Sequence, residues 1–303
     1  MEAIRTIGLC KKYGTKNVVD QVNLIVPKGA IYGFIGRNGS GKSTTQKMVC
    51  GLVRPSAGEI HLFGKPVEDT LVRSRIGTLI EQPGVYPSMS AYENLVLQGL
   101  SIGVDNPKKK AMESLEMVGL GKSAKKKAKN LSLGMKQRLG IAIAMLGNPD
   151  LLVLDEPING LDPEGIMELR QVIATINQEY GITILISSHI LGELSKIATH
   201  YGIIKEGQLI QQISAQELAE NRRDYLYVKV ADSSNAANLI HQKLQPEECE
   251  LGPNGEIRIY GISDTASVNM LLSRNGIAVQ EIYLHQQDLE EYFLNLMGGE
   301  YHA

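Results

Sequence analysis

The stretch that most constrains this chain is Gly36–Thr44, which reads GRNGSGKST. It follows an apolar run of strand length, Ile31–Ile35, and precedes a segment that suits a helix, Thr45–Cys50, closed by Gly51. The spacing G-x-x-x-x-G-K-[ST] between a strand and a helix is that of a phosphate-binding loop. Glycines permit the tight turn, and successive backbone amides at the helix N-terminus then surround an anion. A glycine-rich turn without a ligand is disfavoured, because both flanking elements agree with the motif.

Two side chains of this loop have an expected part in binding a triphosphate. Lys42 is placed to reach the outer phosphates, and the hydroxyl of Ser43 is placed to ligate Mg²⁺. The loop therefore predicts a nucleotide site, to which acidic residues and histidines elsewhere in the chain can contribute.

Composition limits the class of protein. The chain has 303 residues, with 43% hydrophobic and 21% charged residues, which suits a globular protein of two domains. A net charge of −2 gives no general reason to expect a nucleic acid partner. Cys10, Cys50 and Cys249 lack ligand spacing and suit a reducing cytosol. No apolar run approaches the ~20 residues that span a bilayer, so a membrane role is expected to run through a partner.

Two acids directly follow another apolar run. Asp155 and Glu156 come after Leu151–Leu154, which has the composition of a buried strand. Carboxylates at the end of a buried strand are costly unless they bind something. We expect Asp155 to hold the shell of a Mg²⁺ ion and Glu156 to polarise a water for attack on a phosphate.

A histidine follows a further strand. His189 comes just after Thr183–Ser187, which is expected to run parallel to the strand that carries Asp155. A single histidine is usually structural, but ligands bind at the carboxyl edge of a parallel sheet. We therefore expect His189 to contact the terminal phosphate.

Three other positions admit two interpretations each. Tyr13, in a turn closed by glycine, can stack on an adenine or be a packing tyrosine. Glu81, which follows the strand Ile76–Ile80, can join the outer shell of the metal or be a surface loop residue. Ser132 can cap a helix at Lys136–Leu146, and the open amides of that helix end can also receive an anion.

The basic run before that helix is a further ambiguous feature. It is expected to be a solvated face, and the alternative is attraction to acidic membrane headgroups. Its lysines are Lys122, Lys125, Lys126, Lys127 and Lys129.

The remaining pattern divides the chain into residues 1–221 and 222–303. Helical spacing covers about 90–146, where Ser90 and Glu93 form a capping box. The last part contains no chemical motif and reads as a small α+β domain. Further strands are predicted at 2–8, Val22–Val26, Ile60–Phe63, Tyr201–Lys205, Gln208–Ile213, Leu226–Val230 and Glu256–Tyr260, and further helices at Ala215–Arg223, Ala236–Leu244 and Ala266–Asn275.

Taken in order, these motifs resemble those of the ATP-binding-cassette (ABC) ATPases, from Glu2 to about Glu220. The resemblance implies an α/β P-loop NTPase core with an antiparallel β subdomain and a helical subdomain, followed by the small C-terminal α+β domain. It also implies ATP and Mg²⁺ as cofactors, and two cassettes that face each other head to tail. The similar segments are Gly36–Ser43 (Walker A), Leu151–Asp155 (Walker B), Leu131–Met135 (signature), 159–162 (D-loop) and His189 (switch histidine).

The resemblance assigns roles residue by residue. Glu156, His189 and Lys42 are the implied catalytic residues, and Ser43, Asp155 and Glu81 are the implied Mg²⁺ ligands. Asp162 belongs to the D-loop, and Glu81 and Gln82 occupy the Q-loop. The implied ATP-binding residues are Tyr13, Gly36, Arg37, Asn38, Gly39, Ser40, Gly41, Lys42, Ser43 and Thr44, and the residues directed to the partner's ATP are Ser132, Leu133, Gly134 and Met135.

Two departures narrow the resemblance. The signature has Leu133 and Met135 where glycine and glutamine are usual, and alignment of the Q-loop puts Glu81 at the glutamine position, with Gln82 next to it. Both features are similar to the bacitracin-export and lantibiotic-immunity subfamily of ABC-2-type exporters.

The resemblance implies a cytoplasmic ATPase subunit on the inner face of the membrane. It would form a homodimer and drive export of a peptide antibiotic or lantibiotic through separate polytopic permeases, with no nucleic acid partner and no membrane span of its own. A cassette protein acting on ribosomes or nucleic acid is the alternative, disfavoured because the chain has neither tandem cassettes nor a coiled-coil insertion. A regulator that does not hydrolyse nucleotide is disfavoured by Glu156 and His189.

Overall fold

The structure is a computed structural model that describes residues 1–220, 224–252, 255–285 and 292–293. The chain divides into two compact units between Glu217 and Leu218. The boundary expected at 221/222 falls in 221–223, outside the described residues, as does the end of the helix predicted at Ala215–Arg223. None of the helices among the described residues is both long and apolar enough to cross a bilayer.

The first unit combines an antiparallel sheet, a mainly parallel sheet and a group of helices. Its elements in chain order are β1 (Glu2–Tyr13), β2 (Lys16–Val22), β3 (Ile25–Pro27), β4 (Ile31–Ile35), α1 (Lys42–Val49), β5 (Ala57–Leu62), β6 (Lys65–Pro66), α2 (Thr70–Arg73), β7 (Ile76–Leu79), α3 (Ala91–Ser101), α4 (Pro107–Met117), α5 (Leu133–Ala144), β8 (Leu151–Asp155), α6 (Pro163–Tyr180), β9 (Thr183–Ser188), α7 (Leu191–Leu194), β10 (His200–Lys205), β11 (Gln208–Ser214) and α8 (Ala215–Glu220).

The antiparallel sheet has the order β2-β1-β5-β6, with β3 also paired to β1. The single strand predicted at Val22–Val26 is wrong, because β2 ends at Val22 and β3 begins only at Ile25. The side chain of Thr6 explains the break. Its hydroxyl donates to the carbonyl of Val22 and accepts from the amide of Leu24, both at 2.8 Å, so the backbone there is satisfied without strand pairing.

The second sheet has the order β11-β10-β4-β9-β8-β7 and is parallel except for β11. Strands β4, β8 and β9 are buried at every position, which explains their nearly continuous apolar sequences. Ile35 pairs with Ser188, and Asp155 pairs with Ser187, so the carboxyl ends of these three strands meet at one edge. That edge carries the segments expected to bind nucleotide.

The helical segment predicted at 90–146 contains α3, α4 and α5. The capping box is confirmed, because the amide of Ser90 donates to the carboxylate of Glu93 at 2.7 Å and the amide of Glu93 donates to the Ser90 hydroxyl at 3.1 Å. The helix predicted at Lys136–Leu146 begins earlier, at Leu133, because Ser132 caps it by accepting the amide of Met135 at 3.2 Å. All the lysines of the basic run are exposed, as expected of a solvated face.

The second unit is a four-stranded antiparallel sheet with two helices, within its described residues. The sheet order is β13-β14-β12-β15, a split β-α-β arrangement. Its core lies between one sheet face and the two helices. The predicted strands and helices are present, but the sequence did not predict β13 and β15. The elements are β12 (Tyr225–Val230), α9 (Ser233–Leu244), β13 (Glu248–Leu251), β14 (Glu256–Tyr260), α10 (Thr265–Arg274) and β15 (Val279–His285).

Candidate nucleotide-binding and hydrolysis site

The glycine-rich loop connects β4 to α1. The helix begins at Lys42 rather than at Thr45 as predicted, because the loop itself forms the helix N-terminus. Gly41 has a φ of 108°, which a side chain would strain. A Cβ on Gly36 would lie 2.4 Å from the carbonyl oxygen of Ile204. Both glycines are therefore required by the backbone path of the loop.

The loop contains groups that suit an anionic oxygen. The Lys42 ammonium donates to the carbonyl of Gly36 at 2.6 Å and lies 3.4 Å from that of Arg37. The hydroxyl of Ser40 is buried and has no hydrogen-bond partner among the described residues. A buried hydroxyl beside a helix N-terminus and a lysine fits a phosphate group. The other loop residues lie around it, with Arg37, Asn38 and Gly39 exposed and Ser43 and Thr44 half-buried.

The carboxylate of Asp155 lies next to the loop at the end of β8. Its Oδ1 accepts a hydrogen bond from the Ser43 hydroxyl at 3.0 Å and another from the Ser187 hydroxyl at 2.7 Å. The side-chain amide of Gln46 donates to the carbonyl of Leu154 at 3.0 Å, which holds α1 against β8.

A magnesium ion fits these donors. The described residues contain no group of three or more His, Cys, Asp or Glu side chains that could hold a metal. Mg²⁺, however, uses few protein oxygens and takes its remaining ligands from phosphate and water. The Ser43 hydroxyl and the Asp155 carboxylate supply oxygens of the required kind, side by side at the phosphate loop.

Glu156 joins two of the other expected residues. Its Oε1 lies 3.1 Å from the Lys42 ammonium, and its Oε2 lies 2.7 Å from Nδ1 of His189. Because an ionised carboxylate only accepts hydrogen bonds, Nδ1 of the histidine carries the proton in this contact. The Glu156 side chain is 19% exposed, so the ion pair with Lys42 is only weakly screened by solvent.

Sequence reasoning missed Ser187. Its hydroxyl accepts the amide of Glu156 at 2.9 Å while donating to Asp155. Nothing in the local pattern distinguishes this serine from the last residue of a buried strand. Its position opposite Asp155 follows from the strand register, which a single sequence does not determine. The local pattern therefore shows only a polar residue at the end of an otherwise apolar run and does not indicate its partner.

Glu81, one of the two residues expected in the Q-loop, contacts α1. Its carboxylate accepts a hydrogen bond from Lys47 at 2.6 Å, and its backbone has a φ of 67°. This hydrogen bond, together with the lysine charge, holds the pKa of Glu81 below its usual range. Gln82, next to it, is exposed.

Tyr13 lies at the end of β1, with the Lys11 ammonium 5.0 Å from its ring centroid. The side chain is 51% exposed, so it is not part of the buried core. Its ring face is accessible to a planar partner, so stacking on adenine stays a prediction.

The residues expected in the signature and the D-loop lie together in a separate cleft of about 440 Å³. Leu133, 47% exposed, lies against Gly160, where a Cβ would meet its Cδ2 at 3.4 Å. Asp162 caps α6 by accepting the amide of Gly165 at 3.0 Å. None of the residues lining this cleft belongs to the phosphate loop. The lining residues include Ser132, Leu133, Gly134, Met135 and Asp162.

The fold and this site define a P-loop nucleotide-binding protein. The family model described as ABC transporter matches residues 19–159. The bacitracin transport ATP-binding protein BcrA of Bacillus licheniformis is 44% identical over 300 residues, which cover 98% of this chain and 97% of BcrA. The lantibiotic transport ATP-binding protein SrtF of Streptococcus pyogenes is 46% identical over 203 residues, 67% of this chain and 87% of SrtF.

A solved structure agrees with these sequence relatives. A dimeric ATP-binding cassette in a post-hydrolysis state, bound to ADP and Pi, has a TM-score of 0.64 at 25% identity, and the match covers 70% of this chain and 98% of that one. The chain belongs to the ATP-binding subunits of ABC transporters. It is a nucleotide-binding ATPase, and the expected fold class, family and enzymatic activity are confirmed.

Proposed function

We propose that this chain hydrolyses Mg²⁺-bound ATP to drive the export of a peptide antibiotic, of the bacitracin or lantibiotic kind, and so protects the cell from it. The observation that carries the proposal is the 44% identity to the bacitracin transport protein over 98% of this chain. That match extends beyond the cassette into the second unit, which cassettes of other transporters need not share. The lantibiotic transport relative supports the same substrate class.

The proposal includes two kinds of partner. Polytopic membrane permeases would form the path for the substrate, with this chain bound at their cytoplasmic side. A second copy would present its Ser132–Gly134 segment to the ATP held by the first. The separation of the signature cleft from the phosphate loop within one chain supports this arrangement, because each cleft then needs a loop from elsewhere.

Hydrolysis is assigned to residues that already touch one another. Lys42 and Ser40 bind phosphate oxygens. To bind them, the Lys42 ammonium gives up its contact with Glu156. Bound Mg²⁺, held by Ser43 and Asp155, supplies charge neutralisation of the phosphates. His189 keeps Glu156 oriented. Glu156 then accepts the proton of a water whose oxygen bonds to the γ-phosphorus, as the bond from that phosphorus to the departing ADP breaks.

The test is drug resistance in the source organism. Deletion of the gene should lower the minimal inhibitory concentration of bacitracin or of a lantibiotic, and the wild-type gene should restore it. Glu156→Gln should fail to restore it, whereas the control Glu179→Gln, an exposed acid at the end of α6, should succeed. Co-purification of a polytopic membrane protein with the wild-type chain checks the partner.

Unchanged resistance to both classes of peptide in the deletion strain would contradict the proposed substrate. Restoration of resistance by Glu156→Gln would contradict the assignment of the base. The alternative, a cassette acting on ribosomes or nucleic acid, is not favoured by any relative reported above.

A further inference from the structure

The Ser187 hydroxyl is fully buried at the end of β9, and both of its hydrogen-bonding functions are used. Its oxygen accepts the Glu156 amide at 2.9 Å, and its proton is donated to Oδ1 of Asp155 at 2.7 Å. A hydroxyl has one proton to donate, so this pair of contacts fixes its direction. We call these two hydrogen bonds the Ser187 bridge.

The bridge acts on a backbone that is not relaxed. The backbone of Glu156 has a φ of 47°, which lies in the left-handed region that residues other than glycine rarely adopt. The conformation persists only where surrounding contacts hold it. The hydrogen bond from the Glu156 amide to Ser187 is one such contact. Ser187 belongs to a buried strand whose register places it opposite Asp155.

The bridge also shares Asp155 with Ser43. Both hydroxyls donate to the same oxygen of that carboxylate. Under the proposed function the Ser43 oxygen ligates the metal through a lone pair, so Ser43 can keep donating its proton to Asp155. The Ser187 hydroxyl is fully buried and donates to the same oxygen from the neighbouring strand. The two hydroxyls together therefore hold the carboxylate, and the one from Ser187 has no expected part in binding the metal.

From this geometry we infer that Ser187 is a positioning residue, which keeps the Asp155 carboxylate and the Glu156 backbone in the arrangement that hydrolysis needs. The inference rests on the proposed function for the roles of those two acids. Both hydrogen-bonding functions of Ser187 are used within the protein, so it acts through its two neighbours.

The test is Ser187→Ala, with Ser114→Ala as the matched control. Ser114 is buried to the same extent, and its hydroxyl has no hydrogen-bond partner among the described residues. In Ser187→Ala we expect kcat to fall about tenfold or more, with a much smaller change in the KM for ATP, because a hydrogen bond to a charged group is lost. The Mg²⁺ concentration for half-maximal activity should rise. Ser114→Ala should match the wild type in all three.

A second readout needs no activity. Hydrogen exchange of the Glu156 amide, followed by NMR in the nucleotide-free protein, should be about tenfold faster in Ser187→Ala, while the amides of β8 within the strand keep their rates. Wild-type kcat and Mg²⁺ dependence in Ser187→Ala would overturn the inference. So would a loss of kcat with an unchanged Glu156 exchange rate, since the loss would then not pass through the bridge.

The exchange measurement also separates this inference from the proposed function. If Glu156→Gln hydrolyses ATP normally, the base is misassigned. Faster exchange of the Glu156 amide in Ser187→Ala would still establish the bridge.

Discussion

Glu156→Gln removes a negative charge that the nucleotide-free protein uses to pair with Lys42. The two groups are 3.1 Å apart, and the side chains are 5% and 19% exposed for Lys42 and Glu156. Breaking a fully buried ion pair costs about 3–5 kcal/mol. The cost here is smaller, because the ammonium keeps its hydrogen bond to the carbonyl of Gly36 and glutamine keeps the shape of the side chain. We expect a loss of about 1–2 kcal/mol in the free energy of unfolding.

This loss should disappear when nucleotide binds. Phosphate then takes the place of Glu156 beside Lys42, so the wild type gives up the ion pair and the variant has none to give up. By the same cycle, Glu156→Gln should bind a non-hydrolysable ATP analogue about 5- to 30-fold more tightly than the wild type. Since the analogue is not hydrolysed, slow turnover does not contribute to that difference.

The assay is thermal unfolding of both proteins, with and without saturating analogue. Without nucleotide, the midpoint of Glu156→Gln should lie about 2–8 °C lower, and with analogue the two midpoints should converge. Glu179→Gln, an exposed acid, is the control and should follow the wild type. Removing a charge that merely repels phosphate would also tighten binding, but it would leave the nucleotide-free midpoint unchanged. An unchanged midpoint therefore refutes the ion-pair argument even if the affinity rises.

Three further outcomes follow from other contacts. Glu81→Gln should raise the Mg²⁺ concentration needed for half-maximal ATPase activity. Lys47→Met, which releases the Glu81 carboxylate, should lower that concentration. Shifts in the same direction would contradict the expected role of Glu81 in binding the metal. The pKa of Glu193 is lowered by the hydrogen bond from Lys196 and by neighbouring positive charges, so its stabilising contribution is present above its ordinary value of 4.5 and is lost as the pH falls through the depressed value. The difference in unfolding midpoint between wild type and Glu193→Gln should therefore be constant near neutral pH and shrink below pH 4.5, and a constant difference down to pH 3 would contradict it. A chain ending at Glu220 should bind ATP as the full chain does, as checked by equilibrium titration, because every proposed phosphate ligand precedes it; loss of binding by a folded truncation would show that the second unit contributes to the site.

The grouping of Lys42, Glu156 and His189 was predictable from the sequence. Each residue follows an apolar run typical of a buried strand, and the carboxyl ends of parallel strands lie at one edge of a sheet. The structure brings them together at that edge, where the Glu156 carboxylate contacts both Lys42 and His189. Local pattern was sufficient because the chemistry requires particular residue types directly after particular strands or, for Lys42, at the end of the loop that follows one.

Contacts that depend on strand register or on distant loops were not predictable. Ser187 lies opposite Asp155 only because β8 and β9 pair in one register. The ion pair between Glu81 and Lys47 joins a loop to a helix that is 34 residues away. A single sequence contains no signal for either, because the residue types involved are common on surfaces and in strands.

The strands missed in the second unit have a different cause. Both β13, Glu248–Leu251, and β15, Val279–His285, are largely exposed or half-buried. Strands with little buried surface lack the apolar alternation on which strand prediction depends. Their pairing is set by the neighbouring strands β14 and β12, whose apolar side chains are buried in the core of the second unit. Tertiary pairing, rather than local preference, therefore decides these segments.

The contacts of Glu156 differ in how easily each can be exchanged, and this difference suggests the order of events at the site. Its left-handed backbone costs about 1–2 kcal/mol and needs partners to hold it. Ser187 is fully buried and is itself held by its hydrogen bond to the charged Asp155 carboxylate, so its contact with the Glu156 amide should persist throughout the cycle. Lys42 gains better acceptors once phosphate enters, so its contact should be the first to break. ATP binding would then leave the Glu156 backbone held by Ser187 and the carboxylate held by His189, with Oε1 released to accept a proton. The same contact that stabilises the nucleotide-free protein therefore keeps its base inactive until substrate is present.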